Sequence, residues 1–257
     1  MTFEACIKRV TAGYILGLTA TPHRSDGLHD IMPMQCGPIR YRMAMEDSGI
    51  PRRLIVRETV MPPLAPEMPI QAVFKAMVAN EGRNMFIQED VLQALSQGRR
   101  CLVLSQRKEH CRALADALTQ AGKSPYVLNG TVGKKQRTAI LNEIKELSSE
   151  DELLIIATGQ YLGEGFDCPQ VDTLFLAFPV AFRGKIIQYV GRILREHKDK
   201  SSVVVYEYVD KQVPVLNAMF FRRAKAYKSM KFLIRSLLTD PREPGSPHRI
   251  RLRRKAW

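Results

Sequence analysis

The sequence predicts an α/β fold in which a parallel β-sheet is covered by helices on both faces. Five short apolar runs, rich in Val, Ile and Leu, show little polar alternation and are typical of strands buried on both faces. These runs cover residues 101–105, 125–128, 153–157, 172–178 and 203–208. Helical patterns separate them, near residues 109–121, 133–147 and 183–195. Alternating strands and helices favour parallel pairing, and such sheets bind ligands at the carboxyl ends of their strands.

The segments that flank this pattern differ from it. Residues 57–69 carry four prolines in thirteen positions, which is typical of an extended connector. Two buried strands are predicted near the start, at Tyr14–Thr19 and Ile39–Met43, and two strands cannot build a core of their own. Val213–Leu237 predicts a basic amphipathic helix, and a loose tail follows from Pro241. We therefore predict a remnant of a preceding domain, a Pro-rich linker, an α/β domain, and a helix with a basic tail, at residues 1–45, 46–69, 70–210 and 211–257.

Composition and charge narrow the class of protein. Apolar residues make up 45% of the 257 residues and charged residues 25%, the balance of a soluble globular protein. The sequence has neither an apolar run of about 18 residues nor a secretory signal pattern, so we expect no membrane span and a cytoplasmic location. The five cysteines are odd in number and form no C-x-x-C, which argues against disulfides and a zinc site and fits a reducing compartment.

The formal net charge of +13 predicts an attraction to polyanions. Part of this charge lies in residues 242–257, where six Arg or Lys side chains stand against one glutamate. A solvated tail that binds nothing explains that cluster equally well. The charge alone indicates neither a fold nor a reaction.

Three motifs carry a family resemblance. Residues 18–27 read L-T-A-T-P-H-R-S-D-G, residues 157–169 read A-T-G-Q-Y-L-G-E-G-F-D-C-P, and residues 188–195 read Q-Y-V-G-R-I-L-R. They resemble, in order, the T-A-T, fifth and sixth motifs of superfamily 2 helicases, the first in the form seen in restriction-type and excision-repair-type members. Residues 209–216, V-D-K-Q-V-P-V-L, resemble the ending of phage- and restriction-associated members. The resemblance covers essentially the whole chain and implies the second RecA-like domain of such a motor, preceded by the end of the first.

The sixth-motif segment has a physical interpretation of its own. Gln188, Arg192 and Arg195 fall at i, i+4 and i+7, so a helix would place them on one face. Two guanidiniums on one face suit the phosphates of ATP, because they bind phosphate bidentately and stay charged. The alternative is an ordinary charged surface helix. The resemblance assigns these three residues to catalysis as arginine fingers and their partner glutamine.

Other roles follow from the resemblance and from the strand-end loops. The resemblance implies that Gly165 and Asp167 contact the nucleotide, that Thr158 contacts a nucleic-acid phosphate, and that Thr19 and Thr21 couple the two motor domains. Loops after the first two strands, at 105–108 and 129–131, are suited to gripping a phosphate backbone without reading bases. The candidates there are Gln106, Arg107 and Gly130, with Ser105 and Arg137 beside them. Ordinary helix caps are the alternative.

Two near-matches are rejected. Residues 117–124, A-L-T-Q-A-G-K-S, nearly spell a P-loop, but a working P-loop follows a strand and opens a helix, whereas here Gly122 ends one. Residues 150–152 are acidic but precede their strand, so they are not the metal-binding acidic motif. The five histidines have no metal-ligand spacing, and we predict no bound metal. We expect that ATP with Mg²⁺ is used only together with a P-loop domain supplied in cis or in trans.

The sequence therefore predicts the C-terminal motor domain of an ATP-dependent helicase or translocase. Its track is nucleic acid, with DNA favoured over RNA, contacted through the backbone without sequence preference. The main alternative is a non-catalytic RecA-like module that binds nucleic acid, which would not need both Arg192 and Arg195. A nuclease subunit is disfavoured because no paired carboxylates with a nearby lysine stand at strand ends.

Overall fold

An eight-stranded sheet organises the part of the chain that the computed structural model describes, namely residues 5, 9–19, 31–41, 49–65, 67–163, 166–237 and 252–253. Its strands are β1 (Arg52–Thr59), β2 (Cys101–Ser105), β3 (Tyr126–Leu128), β4 (Leu154–Thr158), β5 (Thr173–Leu176), β6 (Val203–Asp210), β7 (Leu233–Leu237) and β8 (Leu252–Arg253). They pair in the order β3-β4-β2-β5-β6-β1-β7-β8. All neighbours are parallel except β7 and β8.

The helices of the described residues are α1 (Ile31–Cys36), α2 (Ile70–Val78), α3 (Glu81–Ser96), α4 (Lys108–Gln120), α5 (Lys134–Glu146), α6 (Gly159–Gly163), α7 (Arg183–Ile193) and α8 (Pro214–Ser229). Helices α3, α4, α5, α7 and α8 pack on the faces of the sheet. The three helices predicted between strands are α4, α5 and α7. Gly122 follows α4 with φ +79°, and its N–H donates to the Thr119 carbonyl at 2.9 Å. The P-loop-like residues 117–124 thus form a helix C-terminus, which has no phosphate-binding N–H groups.

The core lies on both faces of the sheet, because successive side chains of a strand point to opposite sides. In β2, Leu102 and Leu104 join one cluster, while Cys101 and Val103 join the other. The first cluster includes Ile144 of α5 together with residues of α7 and α8. The second cluster includes residues of α3 and α4. The predicted parallel sheet with helices on both faces is therefore confirmed.

Strand β1 lies inside the range predicted as a linker and was not predicted. It pairs with both β6 and β7, so residues 57–59 belong to the sheet and not to an extended connector. Its alternation is visible in buried Leu54 and Val56, but arginines interrupt the apolar pattern. One of them, Arg57, is satisfied by an ion pair to Asp90 of α3 at 2.9 Å. Residues 60–65, which carry two of the prolines, have no regular secondary structure, as expected.

The predicted helix Val213–Leu237 is wrong in its second part. Helix α8 ends at Ser229, and Lys231 adopts a left-handed conformation with φ 58°. The chain then reverses and adds β7 next to β1. Phe232 makes this reversal favourable, because it is buried and packs edge-on against Tyr227 with ring centroids 5.7 Å apart. The basic tail from residue 241 lies outside the described residues apart from 252–253.

The predicted buried strand Tyr14–Thr19 is also wrong. This segment has no regular secondary structure, and the side chains of Tyr14 and Leu16 are 97% and 82% exposed. A strand requires a neighbour to bond with, and no described strand pairs with these residues. Residues 39–41 are likewise irregular and exposed. The rest of the second predicted strand lies outside the described residues.

A buried ion pair joins α8 to the middle of the sheet. Arg223 donates from Nε and Nη2 to both carboxylate oxygens of Glu207 on β6, at 2.9 and 2.7 Å. The Tyr227 hydroxyl donates to the same carboxylate at 2.7 Å. Both charged side chains are only 1% exposed. Each charge therefore depends on the other for its stability in the interior.

We expect Glu207→Gln to lower the free energy of unfolding by about 3–5 kcal/mol, because it leaves the Arg223 guanidinium buried without a counter-charge. The matched control is Asp116→Asn, which removes the carboxylate of an exposed ion pair with Arg112 on α4. That change should cost about 0.5 kcal/mol or less. Urea denaturation measures both variants, and equal costs would contradict the assignment.

Candidate nucleic-acid and nucleotide interface

The predicted nucleic-acid residues lie at the edge of the sheet formed by the carboxyl ends of its parallel strands. Strand β4 lies between β2 and β3, and Ser105 at the end of β2 pairs with Thr158 at the end of β4. The loops that carry Gln106, Arg107 and Gly130 therefore leave the sheet next to Thr158. Gln106 and Gly130 are exposed, Arg107 is half-buried and Thr158 is buried. The structure thus brings together the four residues that were predicted to bind a phosphate backbone.

Ser105 holds the first of these loops instead of facing a ligand. Its hydroxyl accepts from the Arg107 N–H at 3.2 Å and contacts His110 Nδ1 at 3.0 Å. His110 Nε2 lies 3.0 Å from Asn84 Oδ1, an acceptor, so Nε2 carries the proton and Nδ1 accepts from Ser105. Ser105 is 1% exposed, so the prediction that it grips phosphate is corrected.

The buried histidine of this loop stays neutral. Burial lowers the pKa of His110 to about 3, and the nearby positive charge of Arg83 acts in the same direction. A neutral imidazole keeps the hydrogen bonds from Ser105 and to Asn84 unchanged over the physiological pH range. Both Ser105 and His110 are inaccessible, so they cannot serve as a nucleophile and its base.

The second loop is a tight turn after β3. Asn129 Oδ1 accepts from both the N–H and the hydroxyl of Thr131, at 2.9 and 2.6 Å. The Lys108 side chain lies over Gly130, where a Cβ atom would come within 2.9 Å of Lys108 Cε. Lys108 therefore places a positive charge above the turn that was predicted to contact a phosphate backbone.

The fifth-motif and sixth-motif segments pack directly against each other. A Cβ at Gly159 would clash with the Tyr189 hydroxyl, so glycine at this position makes room for the Tyr189 side chain of α7 beside the end of β4. Farther along, Arg192 Nη1 donates to the Phe166 carbonyl at 3.1 Å. Arg195 forms an ion pair with Asp167. Gly159, Phe166 and Asp167 thus contact α7 or the residue Arg195 just beyond its end.

The predicted arginine fingers and a predicted nucleotide-binding residue are therefore neighbours. The side chains of Arg195 and Asp167 are 42% and 57% exposed, so a ligand can reach both. Gln188 is exposed on α7, one helical turn before Arg192. The predicted helix is corrected at its end, because α7 stops at Ile193 and Arg195 lies beyond it. A shared helical face does not position Arg195.

The remaining predicted site residues are Thr19, Thr21 and Gly165, and only Thr19 is described. Thr19 lies in the exposed irregular segment 9–19. Thr21 and Gly165 lie outside the described residues, so their roles stay predictions. Among the described residues, no group of three His, Cys, Asp or Glu side chains could hold a metal ion, and no helix is long and apolar enough to cross a membrane.

Lys200 is a buried residue that no sequence motif indicated. Its ammonium donates to the main-chain carbonyls of Ile193 and Arg195, at 2.9 and 2.8 Å. These carbonyls belong to the end of α7 and to the residue that carries the second predicted finger, so Lys200 closes the helix and holds the backbone of Arg195. Burial lowers the pKa of Lys200 to about 8, although the charges of Asp172 and Cys168 act to raise it.

Sequence comparison shows which known proteins this chain is similar to. Residues 85–197 match the family model of the helicase conserved C-terminal domain. A putative helicase, 161L, of Invertebrate iridescent virus 6 is 27% identical over 228 residues, which are 85% of this chain and 50% of that protein. The transcript termination protein A18 of Fowlpox virus is 26% identical over 154 residues, 58% of this chain and 32% of that protein. The chain thus spans half or less of these relatives' length.

Structural comparison shows that solved structures share the fold of this chain. The crystal structure of T4 UvsW matches 72% of this chain and 41% of its own, with a TM-score of 0.60 and 16% identity. S. cerevisiae Dbp5, bound to RNA and ADP BeF3, matches 85% of this chain and 50% of its own, with a TM-score of 0.57 and 14% identity. The described residues therefore have the RecA-like fold of a helicase C-terminal domain, and residues 85–197 carry its sequence pattern.

The titration of Lys200 gives a testable pH dependence. Between pH 8 and about 10.5 the unfolded chain keeps the Lys200 proton whereas the folded chain has lost it, so the free energy of unfolding rises with pH in this window. Below pH 8 both states bind the proton and the contribution is flat. Relative to Lys200→Met, wild-type protein should gain about 1–3 kcal/mol from pH 8 to 10, at about 1.36 kcal/mol per pKa unit.

Chemical denaturation of both proteins across pH 7–10 measures this difference. Lys145→Met, on the exposed side of α5, is the matched control and should follow the wild-type profile. A wild-type minus Lys200→Met difference that stays constant across the window would contradict the burial of a titrating ammonium.

Proposed function

We propose that this chain is the second motor domain of an ATP-driven helicase or translocase of superfamily 2, in the branch that resembles restriction-type, phage-associated and excision-repair-type members. The observation that carries the proposal is the packing of the fifth-motif segment on α7. One end of that segment, Thr158, lies at the sheet edge with Arg107 and Gly130. The other end, Asp167, lies at Arg195. This arrangement supports the proposal, because a single stretch of chain would join the proposed phosphate-backbone site to the proposed nucleotide site.

In the proposed mechanism, ATP binds between this domain and a P-loop domain supplied in cis or in trans. That second domain would hold Mg²⁺ and the triphosphate, and ATP supplies the γ-phosphoryl group that is transferred to water. Arg192 and Arg195 contact the phosphates and stabilise the charge that develops during transfer. Gln188 assists them from the preceding turn. The Asp167 carboxylate and the Gly165 backbone hold the nucleoside side, where a carboxylate can accept a hydrogen bond from a ribose hydroxyl.

The second half of the proposal concerns the track. Thr158, Gln106, Arg107 and Gly130 contact phosphates and sugars, which fixes the strand without reading its sequence. The excess of basic residues in the chain adds a long-range attraction to the strand. The resemblance to restriction-type and excision-repair-type members favours DNA. Among the similar structures, Dbp5 is bound to RNA, so both nucleic acids belong in the test. Thr19 and Thr21 would couple the two motor domains.

A non-catalytic nucleic-acid-binding module is the alternative function. It would use the Thr158 edge and have no need for two arginines beside Asp167. The two proposals therefore differ in what Arg195 does. The first experiment separates them.

We expect no ATP hydrolysis by the chain alone, because the fingers act only on a triphosphate that a P-loop domain holds. With a candidate P-loop domain present, nucleic-acid-stimulated turnover should appear and should fall about a thousandfold in Arg195→Gln, in the range known for arginine fingers. Arg112→Gln, an exposed arginine on α4, is the control. If the purified chain alone hydrolyses ATP and Arg192→Ala abolishes this activity, the proposed requirement for a separate P-loop domain is wrong. Restored turnover that is unaffected by Arg195→Gln would favour the binding module.

Binding of nucleic acid by the chain itself should fall steeply with salt, by roughly 0.7–0.9 log units of affinity per log unit of salt for each phosphate neutralised. Thr158→Val and Arg107→Gln should weaken binding by a similar factor on unrelated sequences, as backbone contacts do. Deleting residues 242–257 should flatten the salt dependence. Fluorescence anisotropy with several DNA and RNA oligonucleotides over a salt series measures this. An affinity that ignores salt, or differs a hundredfold between sequences, would refute backbone binding.

A further inference from the structure

Helix α2 lies outside the matched helicase segment but next to its nucleic-acid edge. Val73 and Met77 of α2 are buried in a small cluster with Phe178, Val213 and Leu216. Phe178 follows the carboxyl end of β5, and Val213 follows the carboxyl end of β6. The helix is therefore fixed on the same edge of the sheet from which Arg107 leaves.

Helix α2 also holds the Arg107 side chain. The Gln71 side-chain oxygen accepts a hydrogen bond from the Arg107 guanidinium. The guanidinium carbon lies 5.9 Å from the ring centres of both Phe74 and Phe178, and these two rings pack 4.9 Å apart. Arg107 is thus oriented by one acceptor and two aromatic rings.

The chemistry of this contact indicates a ligand. A carboxylate in place of Gln71 would neutralise Arg107, as Asp90 does for Arg57. An amide oxygen orients the guanidinium and leaves its positive charge in place to attract an anion. An arginine that is held in one orientation without being neutralised is well suited to a phosphate oxygen.

The exposed face of α2 continues this positive surface. Lys75 lies four residues after Gln71, so both side chains project from the same face of the helix, and both are exposed. The sequence of α2, I-Q-A-V-F-K-A-M-V, contains no acidic residue. Gln71, Lys75 and Arg107 therefore form a polar strip with two positive charges beside the loop that follows β2.

We propose that α2 is part of the nucleic-acid interface: Gln71 positions Arg107, and Lys75 binds a further phosphate of the same strand. The ligand is the sugar–phosphate backbone of single-stranded nucleic acid. This inference rests on the proposed function and extends its binding surface beyond the matched segment.

The test of Gln71 uses Gln71→Glu and a labelled oligothymidylate in fluorescence anisotropy. The new carboxylate pairs with Arg107 and repels the strand, so affinity should fall roughly tenfold at low salt, where charge contacts dominate. Gln120→Glu makes the same change at the exposed end of α4 and should lower affinity much less. Gln71 acts through Arg107, so in an Arg107→Gln background Gln71→Ala should cause no further loss.

The test of Lys75 uses the salt dependence of the same binding. Lys75→Gln should lower affinity and reduce the log–log salt slope by about 0.7, the loss of one phosphate contact on a single strand. Lys145→Gln, on the exposed side of α5, has the same charge change and should leave the slope close to wild type. Thermal unfolding of each variant checks that the fold is intact; Arg107 is half-buried, and the other replaced side chains are exposed.

The outcomes separate this inference from the proposed function. If Arg107→Gln weakens binding but Gln71→Glu and Lys75→Gln match their controls, then α2 lies outside the interface and the proposed function stands. If Gln71→Ala still weakens binding in the Arg107→Gln background, the positioning role of Gln71 is wrong. If the wild-type chain does not bind the oligonucleotide, or ignores Arg107→Gln, the proposed function and this inference both fail.

Discussion

Two buried arginines fix the loop between β5 and α7, and the rest of the candidate site depends on that loop. Arg83 of α3 donates to the Ala177 carbonyl at 2.7 Å and pairs with Asp210 at the end of β6. Arg223 of α8 donates to the Val180 carbonyl at 3.0 Å and pairs with Glu207. Since α3 and α8 cover opposite faces of the sheet, the loop is held from both sides. Removing the carboxylate partner of a buried guanidinium strongly destabilises the fold, so these two ion pairs hold the loop firmly.

The hydrogen bonds of Arg83 and Arg223 to this loop fix the start of α7. Contacts along α7 fix the residues that pack against it. Tyr189 lies against Gly159, Arg192 binds the carbonyl of Phe166, and Lys200 holds the carbonyls at the end of the helix. Residues on both sides of the described gap at 164–165 thus contact α7 or the residues just beyond it, at Gly159, Phe166 and Asp167. In the proposed function, these contacts would lie between a nucleotide at Arg195 and a strand at Thr158.

The sequence predicted those parts of the fold whose causes are local. Strands β2 and β4 are buried on both faces, so their apolar runs are unbroken and easily read. Strand β1 was missed because Arg57 and its neighbours break the run, and their buried partners are distant in sequence. The motif predicted a nucleotide contact for Arg195. The end of α7, however, is held by Lys200, which lies outside every motif. Partners that only the folded chain brings together leave no periodic trace in the sequence.

Three arginines of this domain show two different physical situations. Arg83 and Arg223 are buried, and each is tied to a buried carboxylate and a main-chain carbonyl. Arg195 and Asp167 are instead exposed, and an exposed ion pair contributes only about 0–1 kcal/mol. A phosphate can therefore replace Asp167 as the partner of Arg195 at little cost, whereas no ligand can take Glu207 from Arg223. An arginine thus stabilises the fold where it is buried with its carboxylate, and it can exchange its partner where it is exposed to solvent.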